Sequence, residues 1–179
     1  DEQSINAPHI CRLLEDCGIA AVTIHGRTRA QGYTGQANWD VIAECAESTR
    51  LPVIGNGDLA TGRDIEHRRN TTKVRGLMIG RAAMGYPWVF REARHFLETG
   101  TQPAPVEAEE RWAFMLRHAR LAMATGRFDG ERFLMQSLRS RLMAYSKGLP
   151  GGRALRQRFC QIQSLTELED IAAAWLAKD

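Results

Sequence analysis

The spacing of apolar residues changes character roughly halfway along the chain. In about the first hundred residues, short apolar runs alternate with segments in which apolar residues recur every three or four positions. Such short runs are typical of parallel strands buried on both faces, and the recurring pattern is typical of amphipathic helices. The predicted strands cover residues 20–24, 52–55 and 76–79. The predicted helices cover residues 7–17 with Gly18 as C-cap, a segment from Trp39 to Ala46, a weakly patterned segment after Thr61, and a segment from Val89 that ends at Gly100.

Beyond the first hundred residues the strand pattern disappears. Thr101-Gln-Pro-Ala-Pro105 has the composition of a linker. Four helical segments with one apolar face each follow it, over residues 107–125, 131–146, 153–163 and a last stretch that carries Leu168 to Leu176. In the last of these, Thr166 and Glu169 have the spacing of a capping box. This half of the chain is therefore predicted to be a small all-helical bundle.

The order of elements predicts the fold class. Single helices between strands indicate βαβ units and a parallel sheet, so the first half is α/β. It offers three strands, whereas a closed β/α barrel has eight. We therefore predict an α/β part at residues 1–100, a linker at residues 101–106 and a helical domain at residues 107–179.

Composition excludes several classes of protein. The chain has 179 residues, of which 44% are hydrophobic, and this is enough for a buried core. No apolar run approaches the roughly 20 residues needed to cross a bilayer, so no membrane role is expected. The start at Asp1 has no basic or apolar leader pattern, and we expect the chain to be part of a longer cytoplasmic protein. Four cysteines without a Cys-x-x-Cys spacing predict neither a metal site nor disulfides: Cys11, Cys17, Cys45 and Cys160.

Charge is concentrated in the helical half. Residues 1–106 contain 12 basic and 12 acidic side chains, whereas residues 127–158 contain eight basic and two acidic ones. Solvated helix faces are the ordinary explanation of such charges. Because the arginines far outnumber the acids, pairing along the helices does not neutralise them, and we predict binding of RNA or another phosphate polymer. The candidate contacts are Arg139, Arg141, Lys147, Arg153 and Arg156.

Two segments pass from an apolar strand directly into a glycine-containing polar turn. They are Pro52-Val-Ile-Gly-Asn-Gly-Asp58 and Gly76-Leu-Met-Ile-Gly-Arg81. Asn-Gly alone also marks an ordinary tight turn. Two such turns on successive parallel strands predict a phosphate site, since glycine lets backbone N–H groups approach and the next helix begins there. The candidate residues are Asn56, Gly57, Asp58, Gly80 and Arg81.

A histidine follows the first predicted strand, in His25-Gly-Arg-Thr-Arg29. At the end of a buried strand, His25 would lie at the mouth of a barrel and would donate a hydrogen bond to an electron-rich ring or a carbonyl. A loop histidine with a solvent or backbone partner is the simpler alternative. Arg27 and Arg29 would either contact phosphate or hold the loop by ion pairs, and the sequence does not decide between these roles.

Together these motifs resemble the tRNA-dihydrouridine synthases. The resemblance rests on Ile24-His-Gly-Arg-Thr-Arg29, on the two glycine turns, and on Gly85-Tyr-Pro-Trp88. The segment Tyr145-Ser-Lys-Gly-Leu-Pro-Gly151 is similar to the bacterial B-type branch. The resemblance covers almost the whole chain. It implies the C-terminal part of a TIM (β/α)8 barrel followed by a helical tRNA-binding domain, in an enzyme that reduces uridine in tRNA with electrons from NADPH through FMN.

The resemblance also assigns roles to residues. Matching positions imply FMN phosphate contacts at Asn56, Gly57, Asp58, Gly80 and Arg81, a flavin-facing histidine at His25, and a basic residue at Arg141 ahead of the glycine turn. The family's flavin-side lysine and the Gly-Cys-Pro loop that carries its general acid would lie upstream of Asp1. No catalytic residue is therefore predicted in this chain, which by itself should be inactive.

Two positions depart from the family pattern. Cys17 is followed by glycine but precedes a strand and has no proline after it, so it is not predicted to be the catalytic cysteine. Thr72-Lys-Val-Arg75 stands where the family more often has a Gly-Ala pair. Two alternatives stay open: a non-catalytic RNA-binding remnant without its flavin half, and another FMN barrel that acts on a small pyrimidine. The basic helical half disfavours the second alternative.

Overall fold

The computed structural model describes residues 1–177. The chain forms two compact units, Asp1–Pro103 and the residues from Ala104 onward, and each is described separately below. The boundary between the units falls inside the predicted linker. No helix within residues 1–177 is both long and apolar enough to cross a membrane.

The first unit alternates helices and strands as the apolar spacing predicts. Its elements, all within fully described residues, are a 3₁₀ turn Glu2–Ser4, α1 Ala7–Leu13, a 3₁₀ turn Leu14–Cys17, β1 Val22–His25, α2 Trp39–Ser48, β2 Val53–Asn56, α3 Gly62–Thr71, β3 Gly76–Met78, α4 Arg81–Gly85 and α5 Val89–Thr99. The strands begin and end within two residues of the predicted bounds. The helix predicted over residues 7–17 is α-helical only to Leu13, and its last turn tightens to 3₁₀ before Gly18 turns left-handed at φ 70°.

The three strands of this unit form one parallel sheet in the order β1-β2-β3. The register pairs His25 with Asn56 and Asn56 with Met78. These three residues end their strands, so the carboxyl ends of all three strands lie level at one edge of the sheet. The predicted α/β class with a parallel sheet is confirmed.

Helices cover the sheet through two groups of buried side chains. One group centres on Trp39, Ile42 and Ile65, and the other joins Cys11 and Cys45 to Val53. Burial, together with the neighbouring Cys11, raises the pKa of Cys45 to about 12, so this thiol stays protonated. Both cysteines therefore serve as small buried hydrophobes.

Thr72-Lys-Val-Arg75, the segment that departs from the expected pattern, connects α3 to β3. Val74 packs against the buried groups under the sheet, and the Arg75 amide donates to the Val53 carbonyl at 2.8 Å. Lys73 pairs with Glu47 at 3.2 Å across exposed surface. The segment thus enters β3 with its backbone paired.

Within its described residues, 104–177, the second unit contains four helices. They are α6 Ala108–Ala124, α7 Glu131–Tyr145, α8 Gly152–Gln161 and α9 Leu165–Leu176. Their apolar faces meet in one buried group, which includes Trp112, Met115, Leu134, Phe159 and Leu168. This is the packing expected of a small helical bundle, whose stability comes from joining amphipathic faces.

The predicted capping box of the last helix is wrong by two residues. Ser164 is the N-cap, and its hydroxyl accepts a hydrogen bond from the Glu167 amide at 3.1 Å. The Glu167 carboxylate in turn accepts from the Gln163 amide at 2.7 Å. Glu169 instead pairs with Arg120 at 2.6 Å. Ser164 with Glu167 and Thr166 with Glu169 have the same spacing, so the sequence offers two registers and tertiary packing selects the earlier one.

Candidate functional site

A cavity of about 1270 Å³ opens at the carboxyl ends of the three strands. Its lining comes from the residues that follow each strand, which is where ligands bind in parallel α/β sheets. The structure brings together all six residues that the sequence predicts for cofactor binding: His25, Asn56, Gly57, Asp58, Gly80 and Arg81.

Asn56 ties the strand ends to one another. Its side-chain Nδ2 donates to the Met78 carbonyl at 2.6 Å, and its carbonyl accepts from the Gly26 amide at 3.1 Å. The end of β2 is thereby bonded to the ends of both neighbouring strands. This rigidity holds the turns after β2 and β3 at a constant separation.

Gly57 is required by its backbone conformation and by its neighbours. Its φ is 138°, a region that side chains other than glycine rarely adopt. A Cβ at this position would lie 2.5 Å from the Ala37 Cβ. Trp39 Nε1 also donates to the Gly57 carbonyl at 3.1 Å. The loop after β1 therefore packs directly on the turn after β2.

Arg27 holds that loop by an ion pair. Its Nη2 lies 2.8 and 2.7 Å from the two carboxylate oxygens of Asp58, and also donates to the Gly35 carbonyl at 2.7 Å. Its Nε donates to the Thr34 carbonyl at 3.3 Å. Only 3% of the Arg27 side chain is exposed. Of the two roles left open by the sequence, the structure gives Arg27 the structural one.

Asp58 connects the loop after β1 to the turn after β3. Besides Arg27, its carboxylate accepts from the Ala37 amide at 2.7 Å and from Arg81 Nη2 at 3.0 Å. Burial opposes ionisation, but the Arg27 hydrogen bond, the Ala37 amide and the two arginine charges outweigh it, so the pKa of Asp58 lies below its usual value. The carboxylate is therefore charged at neutral pH. A charged carboxylate repels phosphate, and its clear effect here is to orient Arg81.

Arg81 presents a cation at the rim of the cavity. Its side chain is 56% exposed, and its guanidinium lies over the Tyr33 ring at 5.0 Å from the centroid. A guanidinium carries five N–H donors, and the bond to Asp58 engages one nitrogen. The other donors are oriented but still available to an anion.

α4, the helix that begins at Arg81, contributes backbone N–H donors rather than a large dipole. α4 has only five residues, so little macrodipole builds up along it. The amides of Arg81 and Ala82 open this helix and have no acceptor within it. A Cβ on Gly80 would meet only Asn56 Nδ2, at an ordinary 3.8 Å, so there is open space beside these amides.

His25 and Arg29 lie on the same cavity wall and are exposed. His25 Nδ1 is 3.7 Å from the position that a Cβ on Gly57 would occupy, which places the imidazole beside the turn after β2. Sequence reasoning missed Tyr33, a residue that is 75% exposed in the loop between Gly32 and Gly35. An exposed aromatic residue in a glycine-flanked loop near two arginines is the signal that would have found it.

Cys17 lies away from this cavity. It ends the 3₁₀ turn before the amino end of β1, and its thiol donates to the Leu13 carbonyl at 3.6 Å. Among residues 1–177, no cluster of three or more His, Cys, Asp or Glu side chains is placed to hold a metal ion.

In the helical unit, the five candidate RNA contacts differ in environment. Arg153 and Arg156 are exposed and three residues apart on α8, and Lys147 is exposed just after α7. Arg139 is half-buried, and its Nη2 donates to the Ile162 carbonyl at 3.0 Å, so it also joins α7 to the end of α8.

Arg141 is half-buried near the His118–Tyr145 pair, whose Nδ1 and hydroxyl oxygen are 3.2 Å apart. Burial, and secondly the Arg141 charge, lower the pKa of His118. Burial raises the pKa of Tyr145 although Arg141 opposes that effect. At neutral pH both groups of this pair are therefore uncharged.

The fold and the site define an α/β protein with a cavity at the carboxyl ends of parallel strands. A sequence model of the family described as dihydrouridine synthase (Dus) matches residues 1–178. The chain belongs to the dihydrouridine synthase family.

Relatives agree with this assignment. The chain is 42% identical to tRNA-dihydrouridine synthase B of Shewanella oneidensis over 72% of its length and 40% of that protein. It is 38% identical to tRNA-dihydrouridine synthase B of Pseudomonas putida over 89% of its length and 46% of that protein. It is 34% identical to a probable tRNA-dihydrouridine synthase 1 of Synechocystis sp. over 96% of its length and 47% of that protein. The chain spans less than half the length of these relatives.

Proposed function

We propose that this chain is the C-terminal part of a bacterial B-type tRNA-dihydrouridine synthase, which reduces uridine to dihydrouridine in tRNA with FMN and NADPH. The observation that carries the proposal is the convergence of two glycine turns and Arg81 on one cavity, in a chain of this family. The names of its relatives support tRNA as the substrate. A cytoplasmic location belongs to the same proposal.

The α/β unit is proposed to be the last part of a (β/α)8 barrel, at residues 1–100, joined by residues 101–106 to a tRNA-binding domain at residues 107–179. Among the described residues, the outer edges of β1 and β3 pair with no further strand. Open edges of this kind are covered when a barrel closes. Met78 at the end of β3 is 50% exposed, as expected for a side chain that a neighbouring strand would cover in the closed barrel.

The residues present fit the phosphate of FMN. The donor set combines the Arg81 fork, the amides that open α4, and the open space beside Gly80. Asn56, Gly57 and Asp58 would hold the opposite side of the phosphate turn, with the Asp58 carboxylate acting on Arg81 rather than on the anion. The cavity volume of about 1270 Å³ leaves room for a flavin and a base.

When bound, FMN supplies hydride chemistry for the uracil C5–C6 bond, with NADPH as the source of electrons. The residues of this chain position the groups involved. His25 would donate a hydrogen bond to the flavin ring or to a uracil carbonyl, stabilising charge that develops there. The Arg27–Asp58 pair would hold the loop that carries His25 against the phosphate turn. The general acid is proposed to lie outside this chain.

The helical unit is proposed to bind tRNA through phosphate contacts. Arg153 and Arg156 are best placed for this because they are exposed on α8, whereas Leu155 and Phe159 of the same helix are buried. Arg141 and Lys147 would contribute charge nearby, and Arg139 would combine a phosphate contact with its bond to Ile162. Such contacts are independent of sequence and weaken with salt, and they would offset the few kcal/mol needed to swing a uridine out of the folded tRNA.

The test uses the intact protein purified without added cofactor. Flavin absorbance with release of FMN on denaturation, and mass-spectrometric detection of dihydrouridine in tRNA that lacks it, are both expected. NADPH should support the reaction. Purification without flavin but with retained tRNA binding would overturn the enzyme assignment and favour an RNA-binding remnant. Reduction of free pyrimidine but not of tRNA would favour a small-molecule oxidoreductase.

A further inference from the structure

A second cleft adjoins the first cavity and shares Arg81 with it. It has a volume of about 500 Å³ and is lined by parts of the loop after β1, by Trp39 and by α3. The two cavities share four lining residues, whereas Arg68 and Trp39 line only this cleft: the shared ones are Arg27, Tyr33, Asp58 and Arg81.

Positive charge dominates the cleft. Its lining contains Arg27, Arg68 and Arg81 against one carboxylate, Asp58. Asp58 is engaged by Arg27 and Arg81, so Arg68 has no carboxylate partner among the described residues. The cleft therefore has uncompensated positive charge.

Arg68 is held in place by an aromatic ring. Its guanidinium lies 4.9 Å from the centre of the Trp39 ring, and Arg81 lies 5.0 Å from that of Tyr33. Stacking restrains a guanidinium while leaving its N–H edge available, which is the arrangement suited to a phosphate fork. Because Trp39 is buried and bonded to Gly57, the position of Arg68 is coupled to the turn after β2.

A purely structural role for Arg68 makes a different prediction. Arg68 and Arg69 both lie in the last turn of α3, where positive charge favours the helix dipole. Arg69 is exposed and does not line the cleft. If the dipole alone explained Arg68, the two arginines would be interchangeable.

We propose that Arg68, stacked on Trp39 and facing the same cleft as Arg81, forms a second phosphate subsite, distinct from the one assigned to FMN. The proposal rests on the proposed function only for the source of the phosphate group. That group is either the ribose phosphate of NADPH or a backbone phosphate of tRNA, and the experiment separates the two sources.

The experiment compares Arg68→Gln with Arg69→Gln in the intact, flavin-loaded protein. Both variants remove one charge from the same helix end, and Gln keeps a planar group against Trp39. In the first arm, a ribose-phosphate source predicts that Arg68→Gln raises KM for NADPH by about fivefold or more while KM for NADH stays constant. In the second arm, a tRNA source predicts weaker tRNA binding and a slope of log K against log salt that is smaller by about one phosphate contact.

Either result supports the subsite and identifies its source. Equal behaviour of Arg68→Gln and Arg69→Gln in both arms would overturn it. If Arg68→Gln does not fold, Arg68→Lys decides: it keeps the charge but loses the fork, so a measurable loss in one arm is expected and parity with the unaltered protein refutes the subsite. FMN content is measured alongside, because absence of flavin from the unaltered protein would count against the proposed function and not against this inference.

Discussion

The buried Arg27 guanidinium and the partly exposed Asp58 carboxylate form an ion pair, with Nη2 2.8 and 2.7 Å from the two oxygens. The pair joins residues 31 positions apart, one after β1 and one after β2. Oδ1 of Asp58 also accepts a hydrogen bond from Arg81, which follows β3. One carboxylate thus sets the relative positions of the polar turns that follow all three strands.

Removing the charge of Asp58 should loosen this arrangement. In Asp58→Asn, Arg27 keeps its buried position without its counter-charge, and we expect a loss of about 2–3 kcal/mol in unfolding free energy, less than for a fully buried pair because Asp58 is partly exposed. The Ala37 amide, which donates to Asp58, should exchange its hydrogen faster. Asp16→Asn, at an exposed site, is the control. Unchanged exchange at Ala37 would contradict this account of the pair.

Arg81→Ala should weaken FMN binding in the intact protein. The variant removes a charge-assisted contact to phosphate worth roughly 1.5–3 kcal/mol, so the Kd of FMN should rise by about one to two decades. Equilibrium titration of the flavin-free protein measures this change. Arg63→Ala, on an exposed position of α3 outside the cavity, should leave the Kd unaltered. If Arg81→Ala binds FMN as tightly as the unaltered protein does, the phosphate lies elsewhere.

Gly57→Ala should disrupt the site for two separable reasons. Its φ of 138° is unfavourable for alanine, and the new Cβ would lie 2.5 Å from that of Ala37. We expect a loss of about 3 kcal/mol or more, since backbone strain of this kind alone costs roughly 1–3 kcal/mol. The double variant Gly57→Ala with Ala37→Gly should recover only the part due to the clash. Gly18→Ala, at φ 70° in open space, gives the smaller cost of the left-handed helical region without a clash. Full recovery in the double variant would show that the conformation of residue 57 is not demanding.

His118 should titrate below its ordinary pKa of 6.5, because burial and then the Arg141 charge disfavour its protonated form. The unfolded chain therefore binds more protons near pH 6. His118 therefore does not lower the free energy of unfolding above pH 6.5. As the pH falls from 6.5 toward the lowered pKa of the folded state, the free energy of unfolding decreases. An NMR titration of the His118 ring gives the midpoint directly. Arg141→Gln should raise that midpoint, whereas Arg132→Gln, at an exposed site, should not.

The arginines of the helical unit should separate into two kinds. Arg153→Ala with Arg156→Ala should weaken tRNA binding and lower the salt slope by about two contacts, with little effect on stability. Arg139→Ala should lower stability as well, because its Nη2 donates to the Ile162 carbonyl and so joins α7 to the end of α8. Filter binding across a salt series and thermal unfolding are measured on the same preparations. Persistent tRNA affinity in the double variant would remove α8 from the proposed RNA surface.

Much of the first unit could be predicted because its signals are local. The strands at Val22–His25 and Val53–Asn56 are short apolar runs, and a parallel sheet follows from the single helices between them. The glycine turns after β2 and β3 could be predicted for the same reason, since each follows its strand directly in the chain. The capping box of α9 could not be predicted, because two serine or threonine residues have the same spacing to a glutamate and only packing distinguishes them.

The sequence alone determined the alternation of strands and helices, the basic character of the helical half, and the residues that converge at the strand ends. These depend on the spacing of side chains along one segment of the chain. Tertiary structure decided what those residues do there. Arg27 is buried and holds its loop by pairing with Asp58, and Asp58 orients Arg81. Arg68 stacks on Trp39 and lines a cleft. Such roles depend on contacts between segments tens of residues apart, where burial and opposing charge, rather than residue type, set the energy of each interaction.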